Sequence, residues 1–199
     1  MDTKFGRVGL IGRFKPLHNG NSALLESVCR NSDSVIIGIG SSNKYDLRNP
    51  FSAKESIEMI ETFLSSKFAN YSFIELIDFG NDKKWKSAVI SHFGNLDYFI
   101  TGNAYVTEIL KDTYKILHPF EIVPEFKESE LNSSKVRIEI AKDRNWKPMV
   151  PASVANYLQE KKIIERFKRE FGKQTLEYKN SKFYKSAEEE KMRILGAGV

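Results

Sequence analysis

The chain has 199 residues, 41% of them hydrophobic and 29% charged, a balance typical of one folded domain with a core. No apolar run approaches the roughly 18 residues that a membrane span needs, and the first residues lack the apolar core of a signal peptide, so we expect no membrane association. The single cysteine, Cys29, excludes an internal disulfide and favours a reducing, cytoplasmic location.

The formal net charge of the chain is +5, and a basic balance indicates anionic partners, either phosphates on small molecules or nucleic acid. Part of the excess lies between residues 161 and 173, where basic residues alternate with acids as on a solvated helix face. This segment lacks interleaved exposed aromatics and any known nucleic-acid-binding module. We therefore expect no nucleic-acid partner.

Strand and helix patterns alternate along the chain. Short apolar runs predict strands at residues 7–11, 34–40, 71–77, 98–101 and 120–123. Helical periodicity and capping signals predict helices at residues 22–30, from 52, 84–93, 103–114, after 134, from 151 and, more weakly, 187–195. We expect an α/β fold: a Rossmann-like, doubly wound, parallel five-stranded sheet with C-terminal helices. The predicted organisation is a domain of residues 1–171 and a helical tail of residues 172–199.

The loop of residues 12–21 combines the features that a phosphate site needs. Its glycines allow close backbone approach, its cations supply positive charge, and the following helix directs N–H groups toward the loop. His18 lies just before that helix, where its imidazole can donate to a phosphoryl oxygen. The alternative is a surface turn with scattered basic residues. Because ligands of doubly wound sheets bind beyond the carboxyl ends of strands, the position after the first strand favours the phosphate site.

The same loop, Gly-Arg-Phe-Lys-Pro-Leu-His-Asn-Gly-Asn, resembles the H-x-G-H loop of the adenylyl- and cytidylyltransferases, particularly the archaeal-type nicotinamide-mononucleotide (NMN) adenylyltransferases. Further segments resemble that family in the same order. They are residues 40–44 with 49–55, Trp85, residues 101–103, and residues 132–137 followed by Trp146 and residues 150–151. The resemblance covers about residues 7 to 170 and implies the nucleotidyltransferase fold.

The resemblance also implies two sets of binding residues. ATP is expected to contact Gly12, Arg13, Phe14, Lys15, His18, Gly20, Asn21, Gly102, Asn103, Asn132, Ser133, Ser134 and Arg137. Of these, the residues expected to be catalytic are Arg13, His18, Asn21 and Arg137. NMN is expected to contact Lys44, Asn49, Phe51, Asp82 and Trp85. Without the resemblance, Trp85 could equally be a core residue, Lys44 a surface lysine and Arg137 an exposed arginine behind an ordinary helix cap.

Two positions depart from the family's pattern. Asn132 replaces a serine, but an asparagine can still cap a helix and donate to a phosphate. Asn21 replaces the second histidine of the loop, which in the family contacts the triphosphate. An asparagine donates a neutral hydrogen bond and never carries a positive charge, so we expect binding to survive better than turnover.

The resemblance implies adenylyl transfer from ATP to NMN, giving NAD and pyrophosphate. Mg²⁺ would be held mainly by the phosphates of ATP, because no carboxylate cluster that could form a metal site is evident. Two other functions stay open: a related transferase with another phosphorylated acceptor, and a nucleotide-binding protein of low activity because of Asn21. Because relatives commonly form symmetric assemblies, we expect a homo-oligomer.

Overall fold

The fold is known from a computed structural model that describes residues 5–123 and 132–180. Five strands form one sheet in which every pair of neighbours is parallel, in the order β3-β2-β1-β4-β5. The strands are β1 (Phe5–Gly12), β2 (Ser32–Gly40), β3 (Tyr71–Leu76), β4 (Tyr98–Ile100) and β5 (Ile116–Leu117). This architecture confirms the predicted doubly wound α/β fold.

Helices follow the strands and continue beyond the sheet. They are α1 (Asn19–Arg30), α2 (Ala53–Leu64), α3 (Asp82–Phe93), α4 (Ala104–Leu110), α5 (Pro119–Ile122), α6 (Ser133–Ala141), α7 (Ala152–Glu160), α8 (Ile163–Phe167) and α9 (Lys173–Asn180). A π-helical turn, Lys168–Gly172, joins α8 to α9. Among the described residues, no helix is long and apolar enough to cross a membrane.

Hydrophobic residues fill both faces of the sheet. On β2, Val35 and Ile37 belong to a large cluster that includes residues of α1, α2, α7 and α8, whereas Ile36 belongs to a second cluster with residues of α3 and α4. Successive side chains of a strand point to opposite faces, so a strand covered on both sides reads as a continuous apolar run. This explains why β2 was recognisable as a buried strand.

The predicted fifth strand at residues 120–123 is wrong. Residues Pro119–Ile122 form the short helix α5, and the fifth strand lies earlier, at Ile116–Leu117. His118 caps this helix by accepting from the backbone N–H of Phe120, while Glu121 accepts from the backbone N–H of His118. Pro119 occupies the first helical position, where a missing N–H costs nothing. These local capping interactions outweigh the strand propensity of the apolar residues that follow.

The order of the strands reverses at β1, which lies between β2 and β4. Leu10 of β1 is in register with Ile37 on one side and Ile100 on the other, so the loops after β1, β2 and β4 begin at one edge of the sheet.

At the C-terminal end of the described residues, α9 packs against α6. The domain boundary at residue 172 stays a prediction, and the predicted helix at residues 187–195 lies outside the described residues.

Candidate active site

Two adjoining cavities lie at the carboxyl edge of the sheet. The larger, of about 670 Å³, lies between the loops after β1, β2, β3 and β4 and the first turns of α3 and α4. The smaller, of about 310 Å³, lies between the loop after β1 and the start of α6. Arg13 and Arg48 line both cavities. A ligand that extends through both would therefore pass two guanidinium groups.

The smaller cavity brings most of the predicted ATP residues together. It is lined by Arg13, Phe14, Lys15, His18, Asn21, Arg48, Asn132, Ser133, Ser134 and Arg137. These lining residues include three arginines and one lysine, and no carboxylate side chain is among them. Such a surface suits a polyanion, because charge-assisted hydrogen bonds to phosphate are roughly twice as strong as neutral ones.

Gly12 is required by the shape of its own loop. A Cβ atom at Gly12 would lie 2.5 Å from the ring of Phe14, which turns back over the end of β1. Phe14 itself has a φ of 52°, in the left-handed region, and its side chain is buried. The buried ring holds the loop in this conformation, so Gly12 first serves the loop's packing and only then any close approach of a phosphate.

His18 caps the N-terminus of α1. Its Nδ1 accepts from the backbone N–H of Asn21 at 3.4 Å, and only 5% of the residue is exposed. An acceptor role at Nδ1 leaves the ring proton of a neutral imidazole on Nε2. His18 is therefore oriented as an Nε2 donor at a helix N-terminus, and its ring lines the smaller cavity.

Lys15 is buried, with 1% of the residue exposed, and joins two loops. Its ammonium group donates to the backbone oxygen of Ser41 at 3.3 Å and to Oδ1 of Asn49 at 3.5 Å. Burial, together with the positive charges of Arg13 and Arg137, lowers the pKa of Lys15 to about 8. A nearby polyanion would favour the charged form of this lysine.

Arg137 connects α6 to the first loop. Its guanidinium donates to the backbone oxygen of Lys15 at 2.7 Å and to the hydroxyl of Ser134 at 3.1 Å. The hydroxyl of Ser133 donates to the backbone oxygen of Pro16 at 2.9 Å, so the start of α6 is tied to the same loop twice. As expected from the sequence, the Asn132 side chain caps α6 by accepting from the backbone N–H of Lys135.

The larger cavity contains four of the five predicted NMN residues. Lys44, Asn49, Asp82 and Trp85 line it, whereas Phe51 is fully buried and stacks on Phe167 with ring centroids 5.7 Å apart. Trp85 is half-buried and packs against the second hydrophobic cluster while it faces the cavity. Trp85 is thus in part a core residue, and its contact with NMN stays a prediction.

The remaining predicted ATP residues lie at helix starts. Asn103 lines the larger cavity and caps α4 by accepting from the backbone N–H of Tyr105 at 2.9 Å. Gly20 lies in the first turn of α1, and Gly102 lies beside His118, whose Nε2 would be 3.2 Å from an added Cβ. Of the predicted ATP- and NMN-binding residues, Gly20, Gly102 and Phe51 are outside both cavity walls.

Arg48 lines both cavities, and sequence reasoning missed it. It lies in the loop after β2, which Asp46 shapes by accepting at Oδ1 from the backbone N–H groups of Arg48 and Asn49, both at 2.9 Å. Desolvation by burial lowers the pKa of Arg13 most, and the positive charge of Arg48 lowers it further. The signal available was its position directly before the matched segment of residues 49–55.

Helix α8 and the π-helical turn that follows it contact the loop after β2. Arg166 of α8 donates to both carboxylate oxygens of Glu55, at 2.5 and 2.9 Å, and to the backbone oxygen of Pro50 at 3.4 Å. It also lies over the ring of Tyr45, whose hydroxyl donates to Glu170. Burial raises the pKa of Glu55, but the hydrogen bonds with Arg166 and Ser52 and the positive charge of Arg166 together outweigh that effect and lower it. The loop that carries Arg48 is therefore fixed by contacts distant in sequence.

A parallel sheet with a cationic cavity at its switch point defines an α/β nucleotide-binding protein. Within this class the chain belongs to the cytidylyltransferase-like family, whose model matches residues 10–188. It is 34% identical over 165 residues to a nicotinamide-nucleotide adenylyltransferase from Thermococcus kodakarensis, covering 79% of this chain and 85% of that protein. It is 30% identical over 163 residues to one from Methanolobus tindarius, covering 81% and 92%.

Solved structures share the fold. A bifunctional NMN adenylyltransferase/ADP ribose pyrophosphatase from Francisella tularensis, complexed with AMP and a manganese ion, superposes with a TM-score of 0.66 at 19% identity. The match covers 88% of this chain but 55% of that protein, so this chain spans about half of its length. At this identity the likeness establishes the common architecture.

Proposed function

We propose that the protein transfers the adenylyl group of ATP to NMN, giving NAD and pyrophosphate. The observation that carries the proposal is the junction at Arg13 and Arg48 of a cationic cavity with a larger one walled by Trp85. The first suits a triphosphate and the second a flat aromatic ring. The relatives named as nicotinamide-nucleotide adenylyltransferases support the same activity.

The reaction needs no protein nucleophile. An oxygen of the 5′-phosphate of NMN attacks the α-phosphorus of ATP in line, a new P–O bond forms, and pyrophosphate departs with the electron pair of the broken bond. The described residues supply positioning and neutralisation of charge. Arg13 and Arg48, at the junction, would hold the two reacting phosphates, while His18 and Arg137 would hold the departing pyrophosphate.

ATP would enter as its magnesium complex, with the ion as part of the substrate. The described residues contain no group of three or more histidine, cysteine or acidic side chains that could hold a metal ion. The smaller cavity also has no carboxylate in its wall, so phosphate oxygens and water would hold the ion. Mg²⁺ dehydrates reluctantly and is commonly bound through substrate phosphates in this way.

An assay with ATP, Mg²⁺ and NMN tests the proposal. We expect formation of NAD and an equal amount of pyrophosphate, detected by chromatography. If ATP binds but neither NAD nor pyrophosphate forms from NMN, the alternatives are favoured: a different phosphorylated acceptor, or a nucleotide-binding protein of low activity.

Size-exclusion chromatography would test the expected homo-oligomer. The proposed cytoplasmic location is consistent with the free, buried thiol of Cys29.

A histidine in place of Asn21, in the wall of the smaller cavity, is expected to accelerate turnover. Asn21 lines this cavity at the first turn of α1, where it can donate only a neutral hydrogen bond. In Asn21→His we expect kcat to rise about tenfold, since a charged donor stabilises the developing charge better than a neutral one. Steady-state kinetics at saturating substrates measure the effect, with Asn21→Gln as the neutral control. An equal kcat in the histidine variant would show that Asn21 does not limit the reaction.

The pKa of Lys15 predicts a pH dependence of ATP use. With a pKa of about 8 in the free protein, Lys15 is charged below this pH and neutral above it. We therefore expect kcat/KM for ATP to fall as the pH rises through about 8, because this ratio reports groups of the free enzyme. Lys15→Met should lower the plateau and remove the inflection. An inflection that survives in this variant would assign it to another group.

A further inference from the structure

A third cavity, of about 30 Å³, lies between α6, α9 and the loop after β2, and we call it the α9 cavity. Three of its lining residues, Arg48, Ser134 and Arg137, also line the smaller cavity of the candidate active site. The remaining lining residues are Leu47, Ile138, Thr175 and Tyr178. An occupant of the α9 cavity would therefore contact two guanidinium groups that are expected to hold phosphates.

Thr175, on α9, brings a buried hydroxyl group to this cavity. Only 7% of the residue is exposed, and its Oγ1 has no hydrogen-bond partner among the described residues. A buried hydroxyl without a partner costs free energy, and a valine of the same shape would avoid that cost. An unpaired hydroxyl in the wall of a polar cavity therefore points to a small polar occupant of that cavity.

The size and the polar groups of the α9 cavity fit one water molecule. A volume of about 30 Å³ has room for about one water, and a stable buried water needs two to four polar partners. The guanidinium groups of Arg48 and Arg137 only donate, so a water can accept from them and donate to the hydroxyl oxygens of Thr175 and Ser134. The two positive charges disfavour a metal cation at the same place.

Such a water would complete the support of both arginines. Arg137 already donates to the backbone oxygen of Lys15 and to the hydroxyl of Ser134, which leaves further N–H groups of its guanidinium to be satisfied. Asp46 fixes the backbone of Arg48 by accepting from its N–H, not the guanidinium at the far end of the side chain. A side chain held in its binding orientation beforehand loses less conformational freedom when the ligand binds.

We propose that Thr175 is a positioning residue of the site: through one water molecule in the α9 cavity, its hydroxyl orients Arg48 and Arg137 for the triphosphate of ATP. The proposal rests on the proposed function, which makes ATP the ligand. Thr175 lies in α9, beyond the predicted domain boundary at residue 172, so a helix of the predicted tail would serve the site of the domain.

Replacing the hydroxyl by a methyl group tests the proposal. In Thr175→Val we expect KM for ATP to rise about three- to fivefold, the usual effect of losing one hydrogen bond, with kcat nearly unchanged because the support acts alike on bound ATP and on the transition state. Thr175→Ser keeps the hydroxyl and should restore the native KM. Thr62→Val is the matched control, since it removes an exposed hydroxyl of α2 that donates to the backbone oxygen of Glu58, and KM should be unchanged.

Thermal unfolding separates this positioning role from a plain unsatisfied hydroxyl. If nothing pairs with Oγ1, Thr175→Val should melt at a higher temperature than the native protein and keep the native KM, because an unpaired polar group has been removed. That result would overturn the proposal. An equal rise of KM in the valine and serine variants would also overturn it, because packing rather than the hydroxyl would then be responsible.

Calorimetric titration of ATP into the same variants separates this proposal from the proposed function. If no variant forms NAD, the proposed function fails, but a three- to fivefold weaker binding of ATP in Thr175→Val, with native affinity in Thr175→Ser, would still support the role of Thr175. Equal dissociation constants in the native protein and both variants would overturn it, and a native protein that does not bind ATP would overturn both proposals.

Discussion

Arg137→Met is expected to lower kcat/KM for ATP by about 10²–10³-fold, the usual cost of removing one preorganised donor from a site of developing charge. The variant loses a cation of the smaller cavity and the hydrogen bond to the backbone oxygen of Lys15 that helps to hold the first loop. Methionine keeps much of the apolar length of the side chain, so α6 should still pack. Steady-state kinetics with ATP as the varied substrate measure the loss.

Two control variants separate the cation's role from general effects of charge. Arg137→Lys keeps the charge but not the forked donor, so we expect a partial recovery of activity. Arg144→Met removes an exposed arginine that pairs with Glu139 at 3.9 Å, and activity should be unchanged. If Arg137→Met lost less than about fivefold while its melting temperature stayed native, the triphosphate would not depend on this residue.

Arg166→Met is expected to destabilise the protein by about 2–4 kcal/mol, because it leaves the largely buried carboxylate of Glu55 without its ion-pair partner. The side chains of Arg166 and Glu55 are 28% and 14% exposed, and two hydrogen bonds join them. The same change should raise KM for ATP, since Arg166 also holds the loop that carries Arg48. Urea denaturation and kinetics below the melting transition measure the two effects.

A double-mutant cycle isolates the ion pair from the packing of Arg166. Glu55→Gln removes the charge but keeps a side-chain oxygen for the backbone N–H of Ser52, so the cap of α2 is retained. We expect the double variant to be more stable than the sum of the single losses implies, by about 1 kcal/mol or more. Strict additivity would mean that the two side chains do not stabilise each other. Arg166→Lys should recover part of the stability and of the KM.

Sequence patterns predicted the fold through local features. Apolar runs such as residues 34–40 marked buried strands, and the pair Ser52 and Glu55 marked the start of α2, where the structure has both hydrogen bonds of the capping box. The fifth strand was misplaced because three of the residues 120–123 are apolar, yet a cap by His118 and a proline at the first helical position make Pro119–Ile122 a helix. Short elements of this kind depend on a few hydrogen bonds that periodicity does not reveal.

The candidate site was only partly predictable. The residues of the first loop and of the start of α6 were predicted because their order along the chain resembles a known pattern, and most of them line the smaller cavity. Phe51 belongs to the same pattern, but its ring is directed into the core against Phe167. Arg48 and Tyr105 were missed because each is an isolated residue in its segment and acquires its place only when separate loops meet at the edge of the sheet.

By itself, the sequence determined the class of fold, the cationic, glycine-containing composition of the first loop on which the predicted phosphate site rests, and the asparagine at position 21. These properties reside in contiguous residues, whose spacing sets local geometry and charge. Only the tertiary structure decided that Arg48 lines both cavities, that Arg166 holds its loop, and that Tyr105 holds Asp82 beside Trp85. Each of these contacts joins residues more than 20 positions apart, and the chain must fold before their distances are defined.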